Sequence, residues 1–178
     1  MDGLADRLTG VLGVTGDLER EFEARLAESS TLAFRVAYGV LRHRQDAEDV
    51  AQEAFVKAYR SFHQLRDRDR FRAWLVRMTW RLAIDRQRND RRRLAREAVA
   101  PPPESATEDQ LVARERADEL WRAIDALPDK LRVVVVLAGI EEQDLGAVSR
   151  LLEIPAGTVK SRLFLARQRL KELLCATT

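Results

Sequence analysis

The stretch "PAGTVKSRL", residues 155–163, decides the fold of the C-terminal part of the chain. It places a proline and small residues ahead of Lys160, and its apolar residues Val159 and Leu163 have the spacing of one helix face. A helix dipole favours acidic residues in the first turn, but this helix begins without any. The pattern therefore predicts a helix whose free N-terminal amides face an anionic ligand.

The residues before Pro155 predict a helix-turn-helix, in which two short helices are joined by a tight turn. We expect the first helix over residues 143–152 and a break at Glu153 and Ile154. The second helix would enter the major groove, which is about 12 Å wide, with its first residues against base edges and phosphates. A plain C-terminal helix with solvated cations is the alternative interpretation. The expected DNA contacts are Gly157, Thr158, Lys160, Ser161, Arg162 and Arg167.

The net charge of +2 is unevenly distributed, and three blocks along the chain have a clear sign. Residues 66–96 contain twelve Arg and four Asp, a net of +8, and residues 155–174 contain five basic residues and one Glu, a net of +4. Residues 97–129 between them contain nine acidic residues and three Arg, a net of −6. Basic blocks on helices indicate a polyanionic partner, whereas a solvated arginine-rich surface is the alternative.

The composition indicates a helical protein without a membrane segment. Of the 178 residues, 46% are apolar, and only 8 are Gly and 5 are Pro. No stretch approaches the roughly 20 apolar residues that span a bilayer, and the N-terminus has no basic region followed by an apolar block. Cys175 is the only cysteine, which excludes an internal disulfide and a cysteine-based zinc site. We therefore expect a cytoplasmic protein without direct membrane insertion.

The pattern of the N-terminal half predicts three helices after an extension over residues 1–16. The first helix is expected over residues 17–41, and Asp46 is expected to cap the second, which runs to Phe62. The third helix has the clearest period, with one apolar face followed through three turns. That face consists of Phe71, Trp74, Leu75, Met78 and Leu82.

The segment "APPPESATED", residues 100–109, separates these helices from a second helical domain. Its three prolines remove amide donors and stiffen the chain, so no helix continues through it. The later run "LRVVVVLAGI" suits a buried strand by pattern, but no second strand exists to pair with it, so we predict a buried helix. The predicted fold class is all-α: two small helical domains, residues 17–96 and 108–178, joined by a flexible linker over residues 97–107.

Both halves resemble known parts of one protein family. The segment "ALPDKLRVVVVLAGIEEQDLGAVSRLLEIPAGTVKSRLFLARQRL" is similar to region 4 of the sigma factors of bacterial RNA polymerase. The segment "DAEDVAQEAFVKAYRSF" resembles region 2.2, and "FRAWLVRMTWRLAIDRQR" resembles regions 2.3 and 2.4. Two such domains on a short linker, without region 1.1 or a full region 3, are typical of the extracytoplasmic-function (ECF) group of the sigma-70 family.

The resemblance implies a non-catalytic subunit, without cofactor or metal, that gives core RNA polymerase its promoter specificity and promotes DNA melting. Region 4 would rest on the flap of the β subunit and read the −35 element in the major groove. Region 2.2 would dock on the clamp helices of the β′ subunit, for which a carboxylate-rich face is suited, although a solvated capping turn is the alternative. The implied docking residues are Asp46, Glu48, Asp49, Gln52 and Glu53.

Regions 2.3 and 2.4, with the loop before them, would contact the −10 element as it melts. Stacking side chains and cations that follow the backbone bind single strands, and the loop over residues 65–70 would accept a flipped-out base. Trp74 is expected in the core, whereas Trp80 could stack on DNA or pack at the rim, and Asp85 could instead pair with a neighbouring arginine. The implied −10 contacts are Arg66, Arg68, Arg70, Arg77, Trp80, Arg81, Asp85 and Arg88.

Some positions depart from the family pattern, so we do not expect the base preference of the family to transfer. Arg81 stands where Asn is common, and Leu165 stands where Arg is common. Residues 147–149 are Ala-Val-Ser in place of Glu-Ile-Ala. Glu153 replaces the usual turn glycine, which requires a strained or altered turn.

Two other functions are weighed against this one. A helix-turn-helix regulator that does not dock on polymerase is the alternative. An enzyme is not expected, because His43 and His63 have no metal-ligand spacing and the sequence has no phosphate-binding glycine loop or nucleophile motif.

Two linked domains can be clamped so that their surfaces are hidden, and members of the ECF group are often held by an anti-sigma factor. We therefore also expect an anti-sigma partner.

Overall fold

The computed structural model describes residues 3–94, 108–142 and 144–175, with side chains for residues 16–92, 115–142 and 144–175. Within these ranges the chain is helical, and none of the helices there is long and apolar enough to cross a membrane. The helices are α1 (Gly3–Leu41), α2 (Arg44–Ser61), α3 (Phe71–Leu94), α4 (Glu108–Asp125), α5 (Asp129–Ile140), α6 (Leu145–Leu152) and α7 (Ala156–Cys175). Two short 3₁₀ segments, Phe62–Gln64 and Arg68–Arg70, lie between α2 and α3. The predicted all-α class is confirmed.

Two helix starts differ from the sequence prediction. Helix α1 begins at Gly3, so most of the predicted N-terminal extension is helical. Helix α2 begins at Arg44 because His43, in extended conformation, caps it: His43 Nδ1 accepts a hydrogen bond from the Asp46 amide at 3.3 Å. The predicted Asp46 cap is therefore wrong. Asp46 lies in the first turn instead, where its carboxylate interacts favourably with the helix dipole.

Backbone contacts group the chain into two compact units, Met1–Ile84 and Asp85–Thr178. The first unit is built around three buried rings, Phe22, Phe62 and Phe71, which we call the phenylalanine cluster. The rings meet edge to face, with centroids 5.2 Å (Phe22–Phe62), 5.8 Å (Phe22–Phe71) and 5.6 Å (Phe62–Phe71) apart. Each such contact stabilises the fold by about 0.5–1.5 kcal/mol, in addition to the free energy gained by burying apolar area. The cluster joins α1, the 3₁₀ segment that follows α2 and the start of α3.

The predicted apolar face of α3 packs on this cluster. Phe71 and Leu75 are buried, and Trp74 and Met78 pack against the same core from half-buried positions. The ring of Trp74 lies 6.0 Å from that of Phe71, so its expected core position is confirmed. A second core of small residues follows along the helices; it consists of Ala37, Val40, Ala47, Val50, Ala83 and Ile84.

The second unit contains the last turns of α3 and helices α4 to α7. Helix α5 carries the valine run, and its buried residues include Val134, Val136 and Leu137, which confirms the predicted buried helix. A lone strand there would leave backbone donors and acceptors unpaired, whereas a helix pairs them internally. Val159 and Leu163 bury the inner face of α7, as their spacing predicted.

The division between the two units falls inside α3 rather than at the proline-rich segment. Side chains from the last turns of α3, such as Arg88 and Arg91, contact Asp129 and Asp125. Residues 95–107, which contain most of the predicted linker, lie outside the described residues. The domain boundaries drawn from the sequence stay a prediction.

The turn between α6 and α7 is closed by Glu153 in the left-handed conformation, with φ 53° and ψ 45°. The Glu153 amide donates to the Arg150 carbonyl at 3.4 Å, and the Ile154 amide donates to the Ser149 carbonyl at 3.2 Å, which is the Schellman pattern. Ser149 Oγ also donates to the Ile154 carbonyl at 2.6 Å. The strained turn expected from the absence of glycine is therefore observed.

Glu153→Gly is expected to raise the free energy of unfolding by about 1 kcal/mol. The substitution removes the roughly 1–2 kcal/mol cost of a left-handed L-residue, of which part is lost to the greater freedom of the unfolded chain. Urea unfolding followed by circular dichroism measures the change. As a control, Glu115→Gly on an exposed face of α4 should lower the stability by a similar amount. A Glu153→Gly variant that is no more stable than the parent would contradict the strain.

Candidate DNA and polymerase interfaces

The N-terminus of α7 is open and has no acidic residue in its first turn. The Pro155 carbonyl accepts the amides of Thr158 at 2.8 Å and Val159 at 3.1 Å, which closes the first turn. Gly157 and Lys160 are exposed, and Thr158 is half-buried. An exposed helix start with small and basic residues has the properties of an anion-binding site.

The remaining predicted contacts of α7 follow the same helix. Ser161 is exposed and its Oγ donates to the Gly157 carbonyl at 2.9 Å, while Arg162 is half-buried and Arg167 is exposed. Among these polar groups, the apolar side chains of Phe164 and Leu165 are 61% and 51% exposed. The helical period did not predict an exposed apolar pair on α7. The period identifies the face that is buried in the fold, but it does not identify a second face that a partner could cover.

The outer side of α3 carries the predicted −10 residues of that helix. Arg81, Asp85 and Arg88 are exposed, and Arg77 is half-buried. Trp80 packs against the small-residue core from a half-buried position, so rim packing is observed, and stacking on DNA stays a prediction. Within the described side chains Asp85 pairs with neither Arg81 nor Arg88; Arg88 Nη2 instead lies 3.1 Å from Asp129 Oδ2.

The loop before α3 separates the three arginines predicted there. Arg66 is exposed, and Arg70, also exposed, lies 3.1 Å from Asp67. Arg68 is different: its guanidinium lies 4.0 Å above the ring of Phe62 and donates to the Phe62 carbonyl. With only 24% of its side chain exposed, Arg68 holds the loop on the phenylalanine cluster. Its predicted DNA contact would have to compete with that packing.

Helix α1 braces this loop through residues that the sequence analysis missed. Arg25 Nη1 donates to the Arg68 carbonyl at 2.6 Å, and Arg25 also lies 3.2 Å from Glu21 on its own helix. Glu21 in turn lies 3.7 Å from Arg68 Nε. Arg25 and Arg68 are 43 positions apart, and nothing in the local pattern of α1 marks them as partners.

The acidic residues of α2 lie on its solvent side, opposite the buried Val50 and Ala54. Of the predicted docking residues, Asp49, Glu53 and the uncharged Gln52 are exposed, and Asp46 and Glu48 are half-buried. Two of these carboxylates already have cationic neighbours, because Arg44 lies 2.8 Å from Glu48 and Lys57 lies 2.7 Å from Glu53. Val56, 49% exposed, adds an apolar side chain one turn beyond Gln52. The face therefore offers acidic groups with an exposed apolar side chain at one end.

The described side chains contain no group of three His, Cys, Asp or Glu residues placed to hold a metal ion. Cys175, at the end of α7, is exposed. The candidate interfaces thus consist of one acidic helix face and two basic ones.

Comparison with known protein families assigns both parts of the chain. Residues 26–93 match the model of sigma-70 region 2, and residues 117–170 match that of sigma-70 region 4. The ECF RNA polymerase sigma factor SigW of Bacillus subtilis is 33% identical over 153 residues, which are 79% of this chain and 82% of SigW. The chain belongs to the ECF sigma factors.

Further relatives agree with this assignment. The ECF sigma factor SigE of Mycolicibacterium smegmatis is 31% identical over 174 residues, covering 93% of this chain and 67% of SigE. As an ECF sigma factor, the protein directs RNA polymerase to promoters and is not an enzyme, which confirms the function predicted from the sequence. The alternative of a helix-turn-helix regulator that does not dock on polymerase leaves the region 2 match unexplained.

Two solved structures share the fold of this sigma factor. CnrH in complex with the cytosolic domain of CnrY is 25% identical, with a TM-score of 0.58 over 98% of this chain and 99% of CnrH. The sigma factor RpoE of Bartonella quintana, in complex with the anti-sigma factor NepR, is 21% identical, with a TM-score of 0.56 over 87% of this chain and 97% of RpoE. Both were solved with a second protein bound.

Proposed function

We propose that this sigma factor acts in the cytoplasm by binding core RNA polymerase through α2 and promoter DNA through α3 and α7. The acidic face of α2 docks on the clamp helices of the β′ subunit, and the second unit rests on the β flap. Helix α7 reads the −35 element from the major groove. The observation that supports this most is the orientation of α7: Val159 and Leu163 are buried while Lys160 and Ser161 point to solvent.

Helix α3 and the loop before it bind the −10 element and favour its melted form. Exposed Arg81 and Arg88 supply cations for the backbone of a single strand, and Trp80 supplies an aromatic edge. The exposed loop residues Arg66 and Arg70 flank Arg68, which the phenylalanine cluster holds in place. A loop fixed in this way is suited to receive a flipped-out base, because the receiving surface is already ordered.

Mapping of transcript start sites after overproduction of the sigma factor tests the DNA part of this proposal. We expect the induced starts to share two upstream elements, one near −10 and one near −35. As a control, the Lys160→Ala/Arg162→Ala variant should lose the starts that depend most on the −35 element. Induced starts without a common upstream element would contradict reading by α3 and α7.

Replacement of Lys160 and Arg162 by Ala is expected to weaken DNA binding and to make it less sensitive to salt. Each lost phosphate contact should reduce the slope of log K against log salt concentration by about 0.9 for duplex DNA. Fluorescence anisotropy of a labelled DNA duplex, measured over a range of salt concentrations, gives both the affinity and the salt slope. Lys130→Ala, an exposed cation of α5, serves as control and should leave the slope unchanged. An unchanged slope in the Lys160 and Arg162 variants would remove these residues from the interface.

A protein partner that restrains the sigma factor is the second part of the proposal. The CnrH structure, at 25% identity and similar along its whole length, contains the cytosolic domain of CnrY, which supports an anti-sigma factor for this chain. The exposed apolar side chains of Val56, Phe164 and Leu165 would suit a protein that covers the interfaces. A pull-down from native cells should recover such a partner together with polymerase. Recovery of polymerase alone would count against it.

A further inference from the structure

The last turns of α3 are held by acidic residues that the proposed function does not use. Arg91 Nη2 lies 2.6 Å from Asp125 Oδ2, and Arg88 Nη2 lies 3.1 Å from Asp129 Oδ2. Both acids come from the end of the acidic block, residues 97–129, and both arginines come from the basic block, residues 66–96. The two opposite charge blocks of the sequence therefore meet at this point of the fold.

The contact around Asp125 is built into the second unit. The side chain of Asp125 is 5% exposed and its Oδ1 lies 3.2 Å from Nη2 of Arg132, whose side chain is also 5% exposed. Gln87 completes the group: its Oε1 accepts from Arg132 Nη2 at 2.6 Å, and its Nε2 lies 3.4 Å from both Asp125 oxygens. A buried carboxylate needs this degree of pairing because its desolvation is costly. Asp125 is thus a fixed anion at the side of α3.

We propose that Asp125 and Asp129 form an acid latch that occupies Arg91 and Arg88 in place of DNA phosphate. This inference rests on the proposed function, in which Arg88 contacts the −10 element. Asp129 takes one of the five N–H donors of Arg88 and places a negative charge beside its guanidinium. A phosphate that approaches Arg88 therefore competes with a carboxylate, and the free sigma factor binds polyanions less tightly than its arginine content would otherwise allow.

The size of the effect follows from the geometry of the outer pair. Side chains of Arg88 and Asp129 are 56% and 59% exposed, so solvent screens their attraction. Six to ten phosphate contacts change affinity by about 10³–10⁵ between 50 and 200 mM salt, so one added contact enlarges that change by roughly threefold. The latch therefore lowers DNA binding modestly and reversibly.

Asp129→Asn tests the latch at its exposed end, where the substitution leaves the buried Asp125 group intact. The probe is a fluorescein-labelled single-stranded 20-mer of arbitrary sequence, whose anisotropy is followed with the full chain from 50 to 200 mM salt. We expect tighter binding and a slope of log K against log salt that is steeper by about 0.7, the value for one phosphate of a single strand, so that the gain is roughly threefold larger at 50 mM than at 200 mM salt. Circular dichroism confirms that the variant is folded.

Asp118→Asn is the matched control, because Asp118 is an exposed acid of α4 that changes the net charge equally and lies outside the latch. A second comparison adds Arg88→Gln to Asp129→Asn, which should abolish the gain. If Asp129→Asn binds no more tightly than Asp118→Asn, or if Arg88→Gln leaves the gain in place, the latch is wrong. Transcription with core polymerase, measured separately, then shows whether the sigma function itself stands.

Discussion

Phe62→Ala is expected to lower the free energy of unfolding of the first unit by about 3–5 kcal/mol, the usual cost of removing a buried phenylalanine ring. Phe62 is 1% exposed, and its ring contacts both other members of the phenylalanine cluster. The same ring lies under the guanidinium of Arg68, so its loss also frees the loop that precedes α3. We therefore expect a second effect, weaker binding to single-stranded DNA even where the variant remains folded.

The measurement uses the distribution of tryptophans. Trp74 and Trp80 lie in the first unit and Trp121 lies in the second, so a Trp121→Phe background reports on the first unit alone. Guanidinium unfolding followed by tryptophan fluorescence gives the change in stability. Val56→Ala serves as the control, because Val56 lies in the same unit, is 49% exposed, and its truncation should change stability by less than about 0.5 kcal/mol. A Phe62→Ala variant as stable as that control would refute the role of the cluster.

Reversal of charge on α2 is expected to have the largest effect on polymerase binding. The Asp49→Arg/Glu53→Arg variant should raise the Kd for core polymerase on the order of 100-fold, because like charges facing each other at an interface cost several kcal/mol. Both side chains are exposed and lie on the side of α2 opposite its buried residues, so folding should not suffer. A fluorophore on the exposed Cys175, the single cysteine, reports binding without a further substitution.

The control for this variant is Glu115→Arg/Asp118→Arg on α4, which makes the same change of net charge at two exposed positions. It should bind core polymerase within about twofold of the parent sigma factor, because exposed charges more than a Debye length, about 8 Å at physiological salt, from the α2 interface are largely screened. Equal losses in the two double variants would mean that net charge, rather than the acidic face of α2, determines docking.

Helix α7 and the valine run of α5 were predictable because their signals are local. The spacing of Val159 and Leu163 assigns the buried side of α7 within two turns. The valine run was assigned to a helix because no strand was available to pair with it, and Val134 and Val136 are buried there. The strain at Glu153 was also predictable, because the turn requires a positive φ whatever residue occupies it.

The features that escaped prediction depend on partners distant in sequence or on a choice between similar groups. Arg68 was assigned to DNA by its charge, and only the fold shows that the ring of Phe62 lies beneath it. Arg91 and Asp125 are 34 positions apart, so no local sequence pattern indicates their contact. His43 and Asp46 could each cap α2, and the extended backbone of His43 selects the imidazole.

The central claim, that α2 docks on polymerase while α3 and α7 bind the promoter, is tested most directly by transcription from purified components. Core polymerase, genomic fragments and the sigma factor, freed of any bound inhibitor, are combined, and the transcripts are sequenced. We expect discrete starts that require the sigma factor, disappear with Asp49→Arg/Glu53→Arg and persist with Glu115→Arg/Asp118→Arg. Discrete starts that survive the reversal on α2, or no sigma-dependent start with the parent protein, would contradict the account.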